Sequence, residues 1–173
     1  MISTKWSQWQ TVSDSRRCEP CENMQGKIYT FQDLLWPYRP IHLFCRCHLT
    51  TMGKRVAGTL CSAGQDGADW WIMHYGHLPH NYIDKQSAKL LGWKKKQGNF
   101  QDVCPGMIMG GNVYYNSDGH LPSKTGRVWY EADLEYGGGY RSSQRIVYSN
   151  DGLMFATFDH YQTWIEVIDT KEK

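Results

Sequence analysis

Between Glu131 and Tyr136 acidic and apolar side chains alternate: Glu131, Asp133 and Glu135 interleave with Ala132, Leu134 and Tyr136. A period of two belongs to an extended strand, whose successive side chains point to opposite faces. The segment therefore reads as a strand with one apolar face and one face of three carboxylates. Like charges spaced two residues apart repel, so this face is either a plain solvated edge or one to which cations are brought. Arg141 and Arg145 follow a few residues later. Four apart on an extended segment, they share a face and can lie across from the acids.

The neighbouring chain extends this reading. From Ile108 on, the pattern is that of strands, at 145–149, 153–158 and 163–168, with Asn150-Asp151-Gly152 as a hairpin turn. Upstream the signals are helical. Asp66 reads as the N-cap of a helix through Tyr75, with Trp70, Met73 and Trp71 toward its buried side. Asp84 caps a second helix over 85–91, stopped by Gly92 at C′, and 101–104 adds a turn before Pro105. Helices followed by antiparallel strands predict an α+β domain, the helices packed on a C-terminal antiparallel sheet.

The length of 173 residues suits one domain, or a small domain with an attached module. A mean hydropathy of -0.61, with no apolar run near the ~18 residues of a helical span, excludes a membrane helix. Eight Trp and eleven Tyr argue against disorder. The first residues show no apolar stretch of a secretory signal, which leaves export by another route or a longer parent chain. Charge is uneven: up to Cys61 there are eight Lys/Arg against four acids, and beyond it 11 against 13. The boundary is placed near residue 60. Residues 1–60 form a Cys/His-rich module ending in a linker at 50–59, and 61–173 the main domain.

In the first module Cys18-x2-Cys21 precedes His42-x2-Cys45-x-Cys47. Two cysteines two residues apart can face one ion from a tight turn, and a second pair closes a tetrahedron, so the spacing suggests a structural zinc. Five candidates compete for four positions: Cys18, Cys21 and His42, with Cys45 or Cys47 as the fourth. Two disulfides of an exported protein, or plain core thiols, are the alternatives. The stretches 18–29 and 40–47 resemble the C-terminal signature of phage Mu F-like head morphogenesis proteins, a family that also precedes toxin domains in bacterial polymorphic toxins. Ile41-His42-Leu43-Phe44 departs from that family's usual Pro-His-Pro-Asn. The resemblance implies a structural or delivery role for the module.

Residues 66–165 resemble the barnase-like family of microbial guanyl-preferring ribonucleases. The matching stretches include Leu78-Pro79, Asn81-Tyr82-Ile83, Leu91-Gly92-Trp93, Gly110-Gly111, Glu131-Ala132-Asp133, Arg145-Ile146 and Asp159-His160-Tyr161-Gln162-Thr163. The resemblance implies attack of an RNA 2′-hydroxyl on the adjacent phosphorus, with no cofactor for catalysis. It casts Glu131 as general base, His160 as general acid, and Arg141, Arg145 and Lys85 as phosphate-binding cations. Asp133 would orient the arginines; Tyr161, Tyr140 and Tyr114 would line the site or stack bases. The base-reading loop would run through Asn116, Ser117 and Asp118, with Asp118 where the family commonly has a longer Glu. Lys94-Lys95-Lys96 reads as a solvated loop, a second phosphate contact being the alternative; Cys61 and Cys104 read as buried or incidental thiols. The resemblance also implies RNA as substrate, an acidic barstar-like immunity protein as partner, and a toxin delivered into a target cell. The competing reading is a phage head or delivery protein whose nuclease-like half only binds RNA or a partner.

Overall fold

A computed structural model describes residues 6–12, 14, 16–30 and 44–170. The chain divides into two units, Met1–Gly53 with Asn116–Thr125, and Lys54–Tyr115 with Gly126–Lys173.

The first unit is built on a three-stranded antiparallel sheet. Its central strand β1 (Trp6–Gln10) is flanked by β2 (Ile28–Thr30) and β3 (His48–Thr51), and the one-turn helix α1 (Glu19–Glu22) lies in sequence between β1 and β2. Trp6, Trp9, Ile28 and Met52 are buried. Residues 116–125, far off in sequence, fold with this unit. Ile28 N–H donates to the His120 carbonyl at 2.8 Å. Gly26, at φ 80°, lies so near the His120 ring that a Cβ would stand 3.1 Å from Nε2. Asn116, at φ 48°, closes this loop on itself: its amide donates to the Leu121 carbonyl at 2.8 Å and its carbonyl accepts from Leu121 N–H at 3.0 Å.

The second unit carries a seven-stranded sheet. Strands β6 (Ile108–Tyr114), β7 (Trp129–Asp133), β8 (Arg145–Ser149), β9 (Met154–Thr157) and β10 (Ile165–Ile168) run antiparallel in that order. At the edges β4 (Lys54–Val56) pairs parallel with β10, and β5 (Tyr82–Ile83) parallel with β6. Helices α2 (Ala68–Tyr75), α3 (Lys85–Leu90) and α4 (Phe100–Val103) precede the main strands. Ala68 and Ile72 of α2 share a core with Ala132, Ile146, Ala156 and Val167 of the sheet, while Ala88, Trp93, Phe100 and Met109 form a second cluster. The fold is α+β with a mostly antiparallel sheet, as the residue pattern implies.

Four local expectations are corrected. Asp66 lies in a 3-10 turn, and the N-cap of α2 is Gly67. The reason is Asp69, fully buried, whose Oδ2 accepts from Gly58 N–H at 2.6 Å and Leu60 N–H at 3.1 Å. A Cβ at position 67 would stand 2.5 Å from the Cys61 sulfur, so only glycine enters this helix. The buried residues of α2 are Ala68, Asp69 and Ile72 rather than the tryptophans. The stretch 50–59 is not a plain linker: Thr50 and Thr51 finish β3, and Lys54–Val56 is β4. β-Branched Thr and Val suit strands, and two sheet edges were available to pair them. Finally, Glu135 lies beyond β7, accepting from Ser62 N–H, so the strand face carries two carboxylates rather than three; of its two readings, the one that brings cations to it holds.

Candidate active site

Glu131 and Asp133 sit two residues apart on β7 and so share a face. The β7–β8 register sets Asp133 opposite Arg145. Asp133 is fully buried and receives both arginines: Arg141 donates to it from Nε at 2.8 Å and Nη2 at 2.6 Å, and Arg145 Nε lies at 2.9 Å. One carboxylate cannot neutralise two guanidiniums. The pair is thereby held rigid with a net positive charge, the condition for gripping an anion. Arg145 is further fixed by donating from Nη1 to the Gln144 carbonyl at 2.7 Å.

Glu131 is 6% exposed. Its Oε1 meets Lys85 Nζ at 2.5 Å, and its Oε2 accepts from the Tyr161 hydroxyl at 2.5 Å. Burial alone would push its pKa up. The hydrogen bonds from Lys85 and Tyr161, with the Arg141 charge, more than offset this and hold the carboxyl below its ordinary range. The Tyr161 phenol is pushed up, first by burial and then by Glu131. Lys85 opens α3. The Asp84 side chain caps that helix by accepting from Gln86 N–H and Ser87 N–H, and Lys85 N–H donates to Asn112 Oδ1 of β6 at 2.9 Å.

His160 and Tyr161 follow one another in left-handed backbone, at φ 59° and 73°. Such conformations cost side-chain-bearing residues about 1–3 kcal/mol each and persist only where the surroundings over-determine them. Asp159 does so: Oδ1 accepts from Thr157 Oγ1, Gln162 N–H and Thr163 N–H, and Oδ2 from Thr163 Oγ1 at 2.6 Å. Tyr161 N–H donates to Thr157 Oγ1 at 2.9 Å. The turn leaves the His160 imidazole exposed.

Lys85, Glu131, Arg141, Arg145, His160 and Tyr161 line one cleft of about 550 Å³. Tyr140 lines it as well, 71% exposed, its ring over Gly98 and its hydroxyl donating to the Lys96 carbonyl. Tyr114 packs on the Tyr161 ring, centroids 5.3 Å apart. One cation was missed, and a second was read chiefly as solvated, with a phosphate contact as the alternative. Lys89 lines the cleft one turn beyond Lys85, a spacing that puts both on one helix face, and Lys95 joins them from the stretch read as a solvated loop. Of the remaining candidates, Asn116 spends its side chain closing its own loop, and Ser117 and Asp118 are exposed in the first unit. In that unit the sulfurs of Cys21, Cys45 and Cys47 lie within 4.8 Å of one another. His42 lies outside the described residues.

The ribonuclease family model matches residues 72–168, a window that contains every cleft side chain named above. The chain belongs to the ribonuclease family. It is 45% identical over 102 residues to a ribonuclease of Heyndrickxia coagulans, a match covering 59% of this chain and 94% of that protein. Ribonucleases of Bacillus intermedius and Bacillus pumilus are each 45% identical over 102 residues, which span 63% of their length. The ribonuclease segment lies within the second unit except for its excursion through 116–125. None of the described helices is long and apolar enough to cross a membrane.

Proposed function

We propose that this ribonuclease is a metal-independent endonuclease cutting single-stranded RNA by transphosphorylation. The Glu131 carboxylate takes the proton of the 2′-hydroxyl, and the 2′ oxygen bonds to phosphorus as the bond to the 5′ oxygen breaks. His160, as imidazolium, gives its proton to that departing oxygen. The products are a 2′,3′-cyclic phosphate and a 5′-hydroxyl. Arg141 and Arg145 hold the non-bridging oxygens, whose charge grows in the transition state. Lys85 keeps Glu131 ionised and adds a positive charge beside it. The observation that carries this reading is Glu131 held ionised by Lys85 and Tyr161 in the same cleft as two arginines pinned on Asp133. Nucleophile and leaving group both belong to the substrate, so the protein supplies proton transfer and charge stabilisation.

Guanine preference belongs to the same reading. A carboxylate accepts from guanine N1–H and N2–H, and Asp118 is the acid of the loop in question. Being one methylene shorter than Glu, it should discriminate less sharply. The N-terminal phage-like motif favours a toxin delivered into a target cell. A cleft with Lys85, Lys89, Lys95, Arg141 and Arg145 suits an acidic immunity protein of barstar-like type that plugs it with a carboxylate. The test is digestion of RNA in EDTA with analysis of the product ends. Cyclic phosphate termini, mostly after guanosine and more strictly so in Asp118→Glu, are expected. Intact RNA, or 5′-phosphate ends, would contradict the mechanism.

A further inference from the structure

The cleft leaves one cluster of reactive side chains unused. In the first unit α1 follows Cys18, and Glu22 N–H donates to the Cys18 carbonyl at 3.0 Å. That turn brings Cys18 and Cys21 to one side, with the Cys21 thiol within hydrogen-bonding reach of the sulfurs of Cys18, Cys45 and Cys47. The Cys21 and Cys45 sulfurs are 3.7 Å apart. A disulfide needs about 2.05 Å. Four thiolates around one zinc, each at about 2.3 Å in a tetrahedron, stand about 3.8 Å from one another. The sulfurs of Cys21, Cys45 and Cys47, within 4.8 Å of one another, have the spacing of ligands sharing an ion, and Cys18 lines the same cavity as Cys21 and Cys47.

The surroundings agree. Cys21 is 3% exposed, and a cavity of about 30 Å³ is lined by Cys18, Cys21, Cys47 and the guanidinium-bearing Arg16, Arg17 and Arg46. A Zn²⁺ bound by four thiolates carries a net charge of about -2, following from the ligand set. Arg16, Arg17 and Arg46 line the same cavity and, paired with Asp14 and Glu22, leave one net positive charge that offsets part of it.

We infer that Cys18, Cys21, Cys45 and Cys47 form a four-cysteine zinc centre, a set that fills the tetrahedron. Each thiol releases its proton on ligation, so binding one Zn²⁺ liberates protons and weakens as pH falls. The ion ties the turn after β1 to the segment entering β3. It thereby closes the three-stranded sheet whose strand β2 holds residues 116–125 through Ile28 and His120. The inference stands apart from the ribonuclease reading and survives its failure.

The full chain, purified reducing and metal-free, is titrated with Zn²⁺ and separately with Co²⁺. One ion per chain is expected, with the intense thiolate-to-cobalt charge-transfer bands of a tetrahedral four-sulfur site. His42→Ala should keep both stoichiometry and spectrum, whereas Cys18→Ser and Cys47→Ser should lose stoichiometric metal through gel filtration. Hydrogen exchange should show the Ile28 amide and residues 116–125 losing protection when the ion is removed. The unmodified chain decides the matter even if a cysteine variant fails to fold. Absence of metal uptake, a cobalt spectrum lacking thiolate bands, or loss of the ion in His42→Ala would overturn the assignment.

Discussion

Two carboxylates on one strand face meet different fates because their neighbours differ. Glu131 opens on the cleft and is held by one cation and one phenol; Asp133 lies beneath, consumed by two arginines. If Lys85 holds the pKa of Glu131 down, its removal must raise it. In Lys85→Ala the acid limb of kcat/KM should therefore move to higher pH, because the base becomes protonated sooner as pH falls. Tyr161→Phe should shift the limb the same way by less. A pH–rate profile whose acid limb stays put in Lys85→Ala would remove the lysine from this role. Asp133 belongs to the fold as much as to the site. Asp133→Asn leaves two guanidiniums without their buried anion and should cost on the order of 3–5 kcal/mol in urea unfolding. A loss below about 1 kcal/mol, the scale of an exposed pair, would show that Arg141 and Arg145 are held by other means.

Helix α3 carries Lys85 and Lys89 to the cleft, and its start depends on Asp84. Asp84 Oδ1 accepts from Gln86 N–H at 2.8 Å and Ser87 N–H at 2.9 Å, and Oδ2 from the Ser87 hydroxyl at 2.7 Å. The Ser87 hydroxyl, then the backbone donors, hold this carboxyl below its usual range. A depressed acid stabilises the fold fully above its unfolded value and loses that contribution as pH falls through the folded one. Asp84→Ala should therefore cost about 1 kcal/mol near neutrality. The gap to the parent chain should narrow in melts below the ordinary carboxylate range; a gap constant with pH would contradict the charged cap. This helix was legible in the sequence because cap, body and stop are local, at Asp84, 85–90 and Gly92. Strand β7 was legible for the same reason, through its period of two. The start of α2 was not, since Asp69 answers to Gly58 and Leu60 across a loop, and no local pattern favours it over Asp66. Lys89 was missed because an exposed helical lysine looks like any solvated one until the cleft beside it is known.

Across the whole molecule, the charged side chains of the cleft that the proposed reaction uses come from one helix, two strands, the loop before β8 and the turn after β9. Sequence proximity joins only Glu131 with Asp133, Arg141 with Arg145, and Asp159 with His160 and Tyr161. That the arginines meet the acids was legible from the strand pattern, whereas the convergence of Lys85 and His160 with them came only through family resemblance; the β7–β8 register and the left-handed turn at 160–161 supply the physical reason. Nothing local foretold that residues 116–125 would fold with the N-terminal strands, since Ile28 and His120 lie far apart in the chain. The central claim is a division of labour, with Glu131 removing a proton from the nucleophile and His160 delivering one to the leaving group. It is tested most directly by comparing a guanosine dinucleotide with the guanosine 3′-(4-nitrophenyl phosphate) ester, whose leaving group departs without a proton. His160→Ala should lower kcat on the dinucleotide by roughly two orders of magnitude or more, the usual worth of a positioned acid. On the nitrophenyl ester it should stay near the parent rate, while Glu131→Ala should be impaired on both. Equal losses for His160→Ala on the two substrates, or near-parental cleavage of the dinucleotide by either variant, would contradict the account.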